Sequence, residues 1–144
     1  MPHSKLDDLP NAVDRWPMIG SAGYRTVKWG DMEVGVTTCE ALDATELYKH
    51  GGLPGGVCPC PHYGYIFQGR IRAHYPNTDW PDEVAETGEA YFFPAGHVLI
   101  YEEPTRALEL NPAHALQMCM DAMNRAIEKR LAAAEPAEEA KAGS

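Results

Sequence analysis

The segment Gly56-Val57-Cys58-Pro59-Cys60-Pro61-His62-Tyr63-Gly64-Tyr65-Ile66-Phe67-Gln68-Gly69 carries the strongest structural signal in this chain. Its two prolines restrict their own backbone, and that of the residues before them, to extended conformations. Side chains alternate along an extended chain, so we expect Cys58, Cys60 and His62 to project from one face. Because proline has no backbone donor, a regular strand is expected only from about His62 onward. The pattern predicts a strand preceded by a rim that presents three metal-binding side chains.

Short β-like runs lie on both sides of this segment. The predicted strands cover residues 24–29, 32–42, 63–75, 83–86, 89–93, 98–102 and 106–110. Turn-forming residues separate them, for example Gly30-Asp31 and Pro76-Asn77-Thr78-Asp79. The glycine-rich stretch 47–57 is predicted to be a loop. Many short strands with intervening turns and one late helix are typical of a barrel or a sandwich.

A second informative segment is Gly88-Glu89-Ala90-Tyr91-Phe92-Phe93-Pro94-Ala95-Gly96-His97. Its strand is expected to end at Pro94, and the chain to turn at Gly96 and present His97. Taken alone, a histidine beside a turn is more often a hydrogen-bonded structural residue than a metal ligand. This segment is therefore informative only when it is considered together with the first one.

Together the two segments resemble the two-part pattern of the cupin superfamily, in particular its small single-domain members. Tyr65 to Gly69 resembles the end of the first half, and Gly88 followed by Pro94-Ala95-Gly96 resembles the second half. The resemblance covers about residues 50–112. It implies an all-β, cupin-type double-stranded β-helix (jelly-roll) barrel with an irregular N-terminal arm and one C-terminal α-helix.

The chain departs from the ligand set that the resemblance would imply. In the first half His62 occupies the position of the family's glutamate, Cys58 that of its second histidine and Gly56 that of its first. In the second half Leu99 occupies the histidine position and Glu103 the asparagine position. The usual set of three histidines and one glutamate is therefore absent.

Four other side chains share the parity that faces the barrel interior, and we predict them as metal ligands: Cys58, Cys60, His62 and His97. Thiolate and imidazole ligands suit one transition metal ion, Zn or Fe before others, and suit Mg²⁺ or Ca²⁺ poorly. Four protein ligands would close the coordination shell, whereas three would leave a position for water or substrate. The alternative interpretation is a barrel that has lost its metal ligands and kept an apolar pocket.

Two function classes follow. In the first, the protein is a metal-dependent enzyme acting on a small organic molecule. In the second, it is a non-catalytic small-ligand-binding or sensor barrel with structural cysteines. The partner is a small molecule in both, and the sequence identifies neither a catalytic residue nor a substrate.

Composition excludes other classes. The 144 residues carry a formal net charge of −9, and no basic cluster is large enough to follow a phosphate backbone, so nucleic acid is not expected as a partner. No apolar run is long enough for a membrane span, and the first ten residues have no signal-like core. A cytoplasmic location with reduced thiols is expected. Cys39 and Cys119 are predicted to be small buried hydrophobic residues.

The C-terminal helix is marked by a predicted N-cap at Asn111 and by Pro112 at its first position. One apolar face recurs at three- and four-residue steps, at Leu116, Met120, Met123, Ile127 and Leu131. This face, together with open sheet edges, favours a homodimer. The predicted division is an arm at 1–23, a barrel at 24–111, a helix at 112–134 and a disordered tail at 135–144.

Overall fold

The computed structural model describes residues 2–142, with side chains up to residue 134. Within that range the strands are β1 Arg25–Trp29, β2 Met32–Cys39, β3 Leu42–Asp43, β4 His62–Gln68, β5 Arg70–His74, β6 Glu83–Glu86, β7 Ala90–Phe93, β8 Val98–Tyr101 and β9 Thr105–Pro112. The α-helices are α1 Pro17–Ser21, α2 Thr45–His50 and α3 Ala113–Ala142. Single 3₁₀ turns lie at Leu6–Asp8, Ala12–Asp14 and Pro54–Gly56.

The strands form two antiparallel sheets that face each other. One has the order β1-β2-β9-β4-β7 and the other the order β3-β8-β5-β6. From β2 to β9 the chain alternates between the sheets, except that β5 and β6 are neighbours in one sheet. Eight strands in this order make a double-sheet jelly roll, the architecture of cupins. The cupin-type barrel predicted from the sequence is confirmed, and β1 extends it by one edge strand.

The long strand predicted at 63–75 is two strands that belong to different sheets. Gly69 separates β4 from β5 with a φ of +113°, a region that strongly favours glycine. A Cβ atom at this position would also lie 2.7 Å from the carbonyl oxygen of Pro104. The chain can therefore cross from one sheet to the other here without a side chain to obstruct it.

The start of the C-terminal helix differs from the prediction. Asn111 and Pro112 are the last two residues of β9, and α3 begins at Ala113. The side chain of Asn111 does not cap the helix, because it is fully buried and its Oδ1 lies 2.7 Å from His62 Nδ1. The prediction failed because an asparagine before proline has the same local signature at a strand end and at a helix start.

Helix α3 packs across one end of the barrel and against the N-terminal arm. Trp16 Nε1 donates a hydrogen bond to Asp121 Oδ1 at 2.7 Å. Leu116 and Met120 are buried in the core, whereas Leu131 is 52% exposed. Most of the apolar face that favoured dimerisation is therefore used within the chain, and the homodimer stays a prediction.

The predicted domain boundaries stay predictions as well. Helix α3 is described to Ala142, past the boundary predicted at residue 134. Residues 143 and 144 of the predicted tail lie outside the described residues. Among the described helices, none is long and apolar enough to cross a membrane.

Candidate metal centre

Two segments that are distant in sequence meet at the end of the barrel that α3 covers. Cys58 and His97 form an isolated antiparallel bridge, in which the backbone N–H of Cys58 donates to the His97 carbonyl at 2.9 Å. The backbone N–H of Gly96 donates to the Cys58 carbonyl at 2.8 Å. His62, four residues after Cys58, is the first residue of β4. Backbone pairing thus fixes the positions of two of the side chains, and the barrel sheet fixes the third.

The structure brings three of the four predicted ligands together. One donor atom from each of Cys58, His62 and His97 lies within 4.8 Å of the other two. All three side chains are buried, with exposed fractions between 0 and 3%. The imidazole centroids of His62 and His97 are 4.8 Å apart. A metal bound at 2.0–2.3 Å places its ligands roughly 3–4 Å apart, so the widest pair of donor atoms would close by about 1 Å around one ion.

Cys60, the fourth predicted ligand, lies outside this group. The chain bends at residue 60, and the backbone N–H of Cys60 donates to Cys58 Sγ at 3.4 Å. The Cys60 thiol donates to the carbonyl oxygen of Pro61 at 3.2 Å instead. The alternation argument assumed a straight strand through this stretch, and the bend at residue 60 interrupts it. The thiol still lies close to His62: burial raises the pKa of Cys60, although hydrogen bonding to His62 opposes this.

Both imidazoles are oriented by hydrogen bonds at Nδ1. His97 Nδ1 lies 2.6 Å from the carbonyl oxygen of Pro94, which can only accept, so the ring proton is on Nδ1. His62 Nδ1 lies 2.7 Å from Asn111 Oδ1, also an acceptor. In each ring Nε2 is therefore the nitrogen that is available to a metal ion. A metal-bound histidine is ordinarily held in this way, with its other nitrogen donating to an outer oxygen.

The Nε2 atom of His97 is buried and has no hydrogen-bond partner among the described residues. A buried polar atom without a partner costs about 1–3 kcal/mol. His62 Nε2 lies 3.6 Å from Cys58 Sγ. A metal ion at the centre of the three donor atoms would satisfy the orphaned nitrogen. The donor set therefore fits a transition metal, because the ion would bind the otherwise unpartnered Nε2 of His97.

The electrostatics of the group favour a thiolate. Hydrogen bonding with the Cys119 thiol, helped by His62, lowers the pKa of Cys58 well below its usual value against the effect of burial. The same bond, with burial, raises the pKa of Cys119, which keeps its proton. Burial acts to lower the pKa of His62, but hydrogen bonding to Cys58 outweighs it and raises that pKa well above its usual value. A lowered pKa favours the thiolate of Cys58, which is the form that binds metals.

Two residues of this site were missed by the sequence reasoning. Cys119 was predicted only as a small buried residue, which it is, but its sulfur also lies 3.2 Å from that of Cys58. Its spacing from Leu116 and Met123 places it on the apolar face of α3, a signal that could have directed it to the barrel. Asn111 gave no such signal, because its sequence context indicated a helix cap.

A cavity of about 120 Å³ lies beside the metal-ligand group, between the barrel and the helices. His62 and Glu109 lie in its wall, and its other sides are mostly apolar, with Ile19, Leu42, Leu47, Leu99, Met120, Met123 and Ile127 among the contributing residues. Glu109 is 3% exposed, and burial raises the pKa of its carboxyl group although the charge on His62 opposes this. The site thus combines a group of candidate metal ligands with an apolar cavity and one buried carboxyl group.

No protein-family model and no curated protein matches this chain. Solved structures do resemble it, and the three described here are 13–16% identical to it. A structure of unknown function from Rhizobium leguminosarum bv. viciae is 16% identical, with a TM-score of 0.46 over 77% of this chain and 94% of that chain. A putative ethanolamine utilization protein Q from Salmonella typhimurium is 13% identical, with a TM-score of 0.42 over 62% of this chain and 68% of that chain. A cupin-2 domain containing protein from Shewanella frigidimarina is 13% identical, with a TM-score of 0.40 over 62% and 79%.

Proposed function

We propose that this protein binds one transition metal ion through Cys58, His62 and His97 and is an enzyme that acts on a small, largely apolar organic molecule. One observation carries the proposal. Two buried imidazoles, both fixed at Nδ1, form one compact group of donor atoms with a cysteine of lowered pKa. Core histidines that serve only packing would use both nitrogens in hydrogen bonds or leave one to water.

The donor set favours zinc or iron. One thiolate and two imidazoles match the preferences of Zn²⁺, and iron is the second candidate from the same donor types. Three protein ligands leave a coordination position open to water or substrate, which is the arrangement of catalytic rather than structural sites. When bound, such an ion supplies Lewis-acid or oxygen chemistry to the molecule in the neighbouring cavity.

The chain's own residues have separate tasks in this proposal. Asn111 and the Pro94 carbonyl hold the two rings in the orientation that binding requires. The apolar wall excludes water and holds the body of the substrate beside His62. Glu109 is the buried carboxyl group in the cavity wall that can hold or move a proton.

The second candidate is a non-catalytic small-ligand-binding barrel, and Cys119 is the observation that favours it. Its sulfur lies 3.2 Å from that of Cys58. If Cys119 served as a fourth ligand, the shell would be closed and the ion structural. The apolar cavity would then bind a ligand without chemistry at the metal.

Metal content and coordination test the proposal and separate the candidates. We expect tag-free protein, purified without added metal, to contain close to one Zn or Fe per chain by elemental analysis. X-ray absorption should then find one sulfur at about 2.3 Å with two nitrogens at about 2.0–2.1 Å. Two sulfurs would support the closed, structural site. A metal content well below half an equivalent in every preparation would contradict both forms of the metal site.

A cytoplasmic location belongs to the same proposal. The four cysteines are free thiols, and the site requires at least Cys58 to stay reduced. Reduced thiols persist in the cytosol, where disulfides are rare. Fractionation of the source cells, with the protein followed by immunoblot, tests this expectation.

A further inference from the structure

Glu109 lines the cavity at a place where both neighbouring strands carry glycine. In the sheet, Glu109 of β9 is paired with Gly35 of β2 on one side and with Gly64 of β4 on the other. Paired residues of antiparallel strands direct their side chains to the same face. Both positions next to the carboxyl group are therefore free of side chains.

Tyrosine hydroxyl groups occupy the space above the two glycines. A Cβ atom at Gly35 would lie 2.8 Å from the hydroxyl oxygen of Tyr24, and one at Gly64 would lie 2.6 Å from that of Tyr91. The Tyr91 hydroxyl donates to the Leu108 carbonyl at 3.2 Å. The glycines thus allow two phenol groups to reach the sheet on either side of Glu109.

Two polar atoms of this group have no partner within the described part of the chain. They are Oε2 of Glu109 and the hydroxyl oxygen of Tyr24. Both residues line the cavity, and both are 97% buried. Unsatisfied buried polar groups are rare in native proteins, and a molecule that enters the cavity can supply the missing hydrogen bonds. The cavity wall therefore presents an acceptor, Glu109, and a donor, Tyr24, to a bound molecule.

We propose that this cavity binds a small, largely apolar alcohol or phenol, whose hydroxyl group donates to Glu109 and accepts from Tyr24. The proposal deepens the proposed function by naming the chemical class of its substrate. At about 120 Å³ the cavity resembles one of about 150 Å³ that holds benzene, so the ligand has about six to eight heavy atoms.

A hydroxyl group meets both requirements with a single atom and without a charge. A carbonyl group can accept from Tyr24 but cannot donate to Glu109, and an ammonium group can donate but cannot accept. A carboxylate would place its charge beside a buried carboxyl group. A site built to hydrogen-bond a hydroxyl group strongly rejects an analogue of the same shape that lacks it.

The experiment compares phenol with toluene, which has the same number of heavy atoms and no hydroxyl group. Dissociation constants are measured by calorimetry or NMR for the wild type, for Tyr24→Phe and Glu109→Leu, and for Tyr65→Phe, an exposed control on the outer face. An apolar cavity prefers toluene, because phenol loses its hydrogen bonds to water. We expect the wild type and Tyr65→Phe to prefer phenol by at least about tenfold, and the two cavity variants to lose that preference.

The same measurement in His97→Ala separates this proposal from the metal site. The preference for phenol should persist there, because neither Tyr24 nor Glu109 is a ligand in the proposed centre. A preference lost in His97→Ala would mean that the metal site, not the anchor, holds the hydroxyl group, and would overturn the inference. It is also overturned if the wild type prefers toluene or binds neither molecule. Absence of metal from the wild type overturns the metal proposal alone.

Discussion

Two histidines in this protein make the same hydrogen bond in opposite surroundings. His62 Nδ1 lies 2.7 Å from Asn111 Oδ1 inside the barrel, and His74 Nδ1 lies 2.7 Å from Asp82 Oδ1 on the outside. The side chain of His74 is 50% exposed, so water can serve its second nitrogen. The second nitrogen of His62 faces Cys58 in a buried group that includes His97. The orienting hydrogen bond at Nδ1 therefore does not by itself indicate a metal site. What distinguishes His62 is that its second nitrogen is buried and lies close to a thiol.

The largest difference between the buried group around His62 and the exposed surface around His74 should be in metal retention. We expect His97→Ala to reduce the metal content of the purified protein to a small fraction of one equivalent, because it removes one of three ligands. His74→Ala should leave the content unchanged. Elemental analysis after dialysis measures both, and circular dichroism shows whether each variant is folded. Retention of a full equivalent by a folded His97→Ala would refute the proposed centre.

The next effect concerns the oxygen atoms that orient the rings. Asn111→Ala leaves all three ligands in place but removes the acceptor for His62 Nδ1. Loss of such an outer partner weakens metal binding by about 10–100-fold. Asp82→Ala removes the corresponding partner of His74 and should have no effect. Competition with a chromophoric chelator gives both affinities, and equal affinities in the two variants would show that Asn111 has only a packing role.

A smaller effect should follow from the two other cysteines. The hydrogen bond with Cys119 is the largest cause of the lowered pKa of Cys58. In metal-free Cys119→Ala that pKa should rise, so the ultraviolet absorbance of the thiolate should appear at higher pH than in the wild type. Cys39→Ala should not shift it, because burial raises the pKa of the Cys39 thiol to about 12 and keeps it neutral. If Cys119→Ala loses metal as fully as His97→Ala does, Cys119 is a ligand and the shell is closed.

The smallest effect is expected on the outer surface. Hydrogen bonding to His74 lowers the pKa of Asp82, so His74→Ala should raise that pKa toward its ordinary value, as an NMR titration can measure. A carboxyl group whose pKa is lowered in the folded state stabilises the fold at pH values above its ordinary pKa. That contribution is lost as the pH falls through the folded-state pKa. Since Asp82 is exposed, solvent screening keeps the contribution small. A large change in stability near neutral pH would contradict the contrast between the two histidines.

The sequence by itself determined most of the barrel and half of the site. Turn residues and period-2 alternation located nearly every strand, because these signals act between near neighbours. The same local logic placed Cys58 and His62 on one side, and the turn at Gly96 presented His97. It did not anticipate the bend at Cys60, and it failed at Asn111, whose context is shared by a helix cap and a strand end.

Only the tertiary structure decided which distant groups meet. Asn111 is 49 residues from His62, and Cys119 is 61 residues from Cys58. Both contacts depend on the strand order of the two sheets and on how α3 crosses them. The same is true of Glu109, whose neighbours Gly35 and Gly64 belong to strands on either side of it. Local spacing determines the direction of a side chain, but the register between strands determines which distant residues lie next to it.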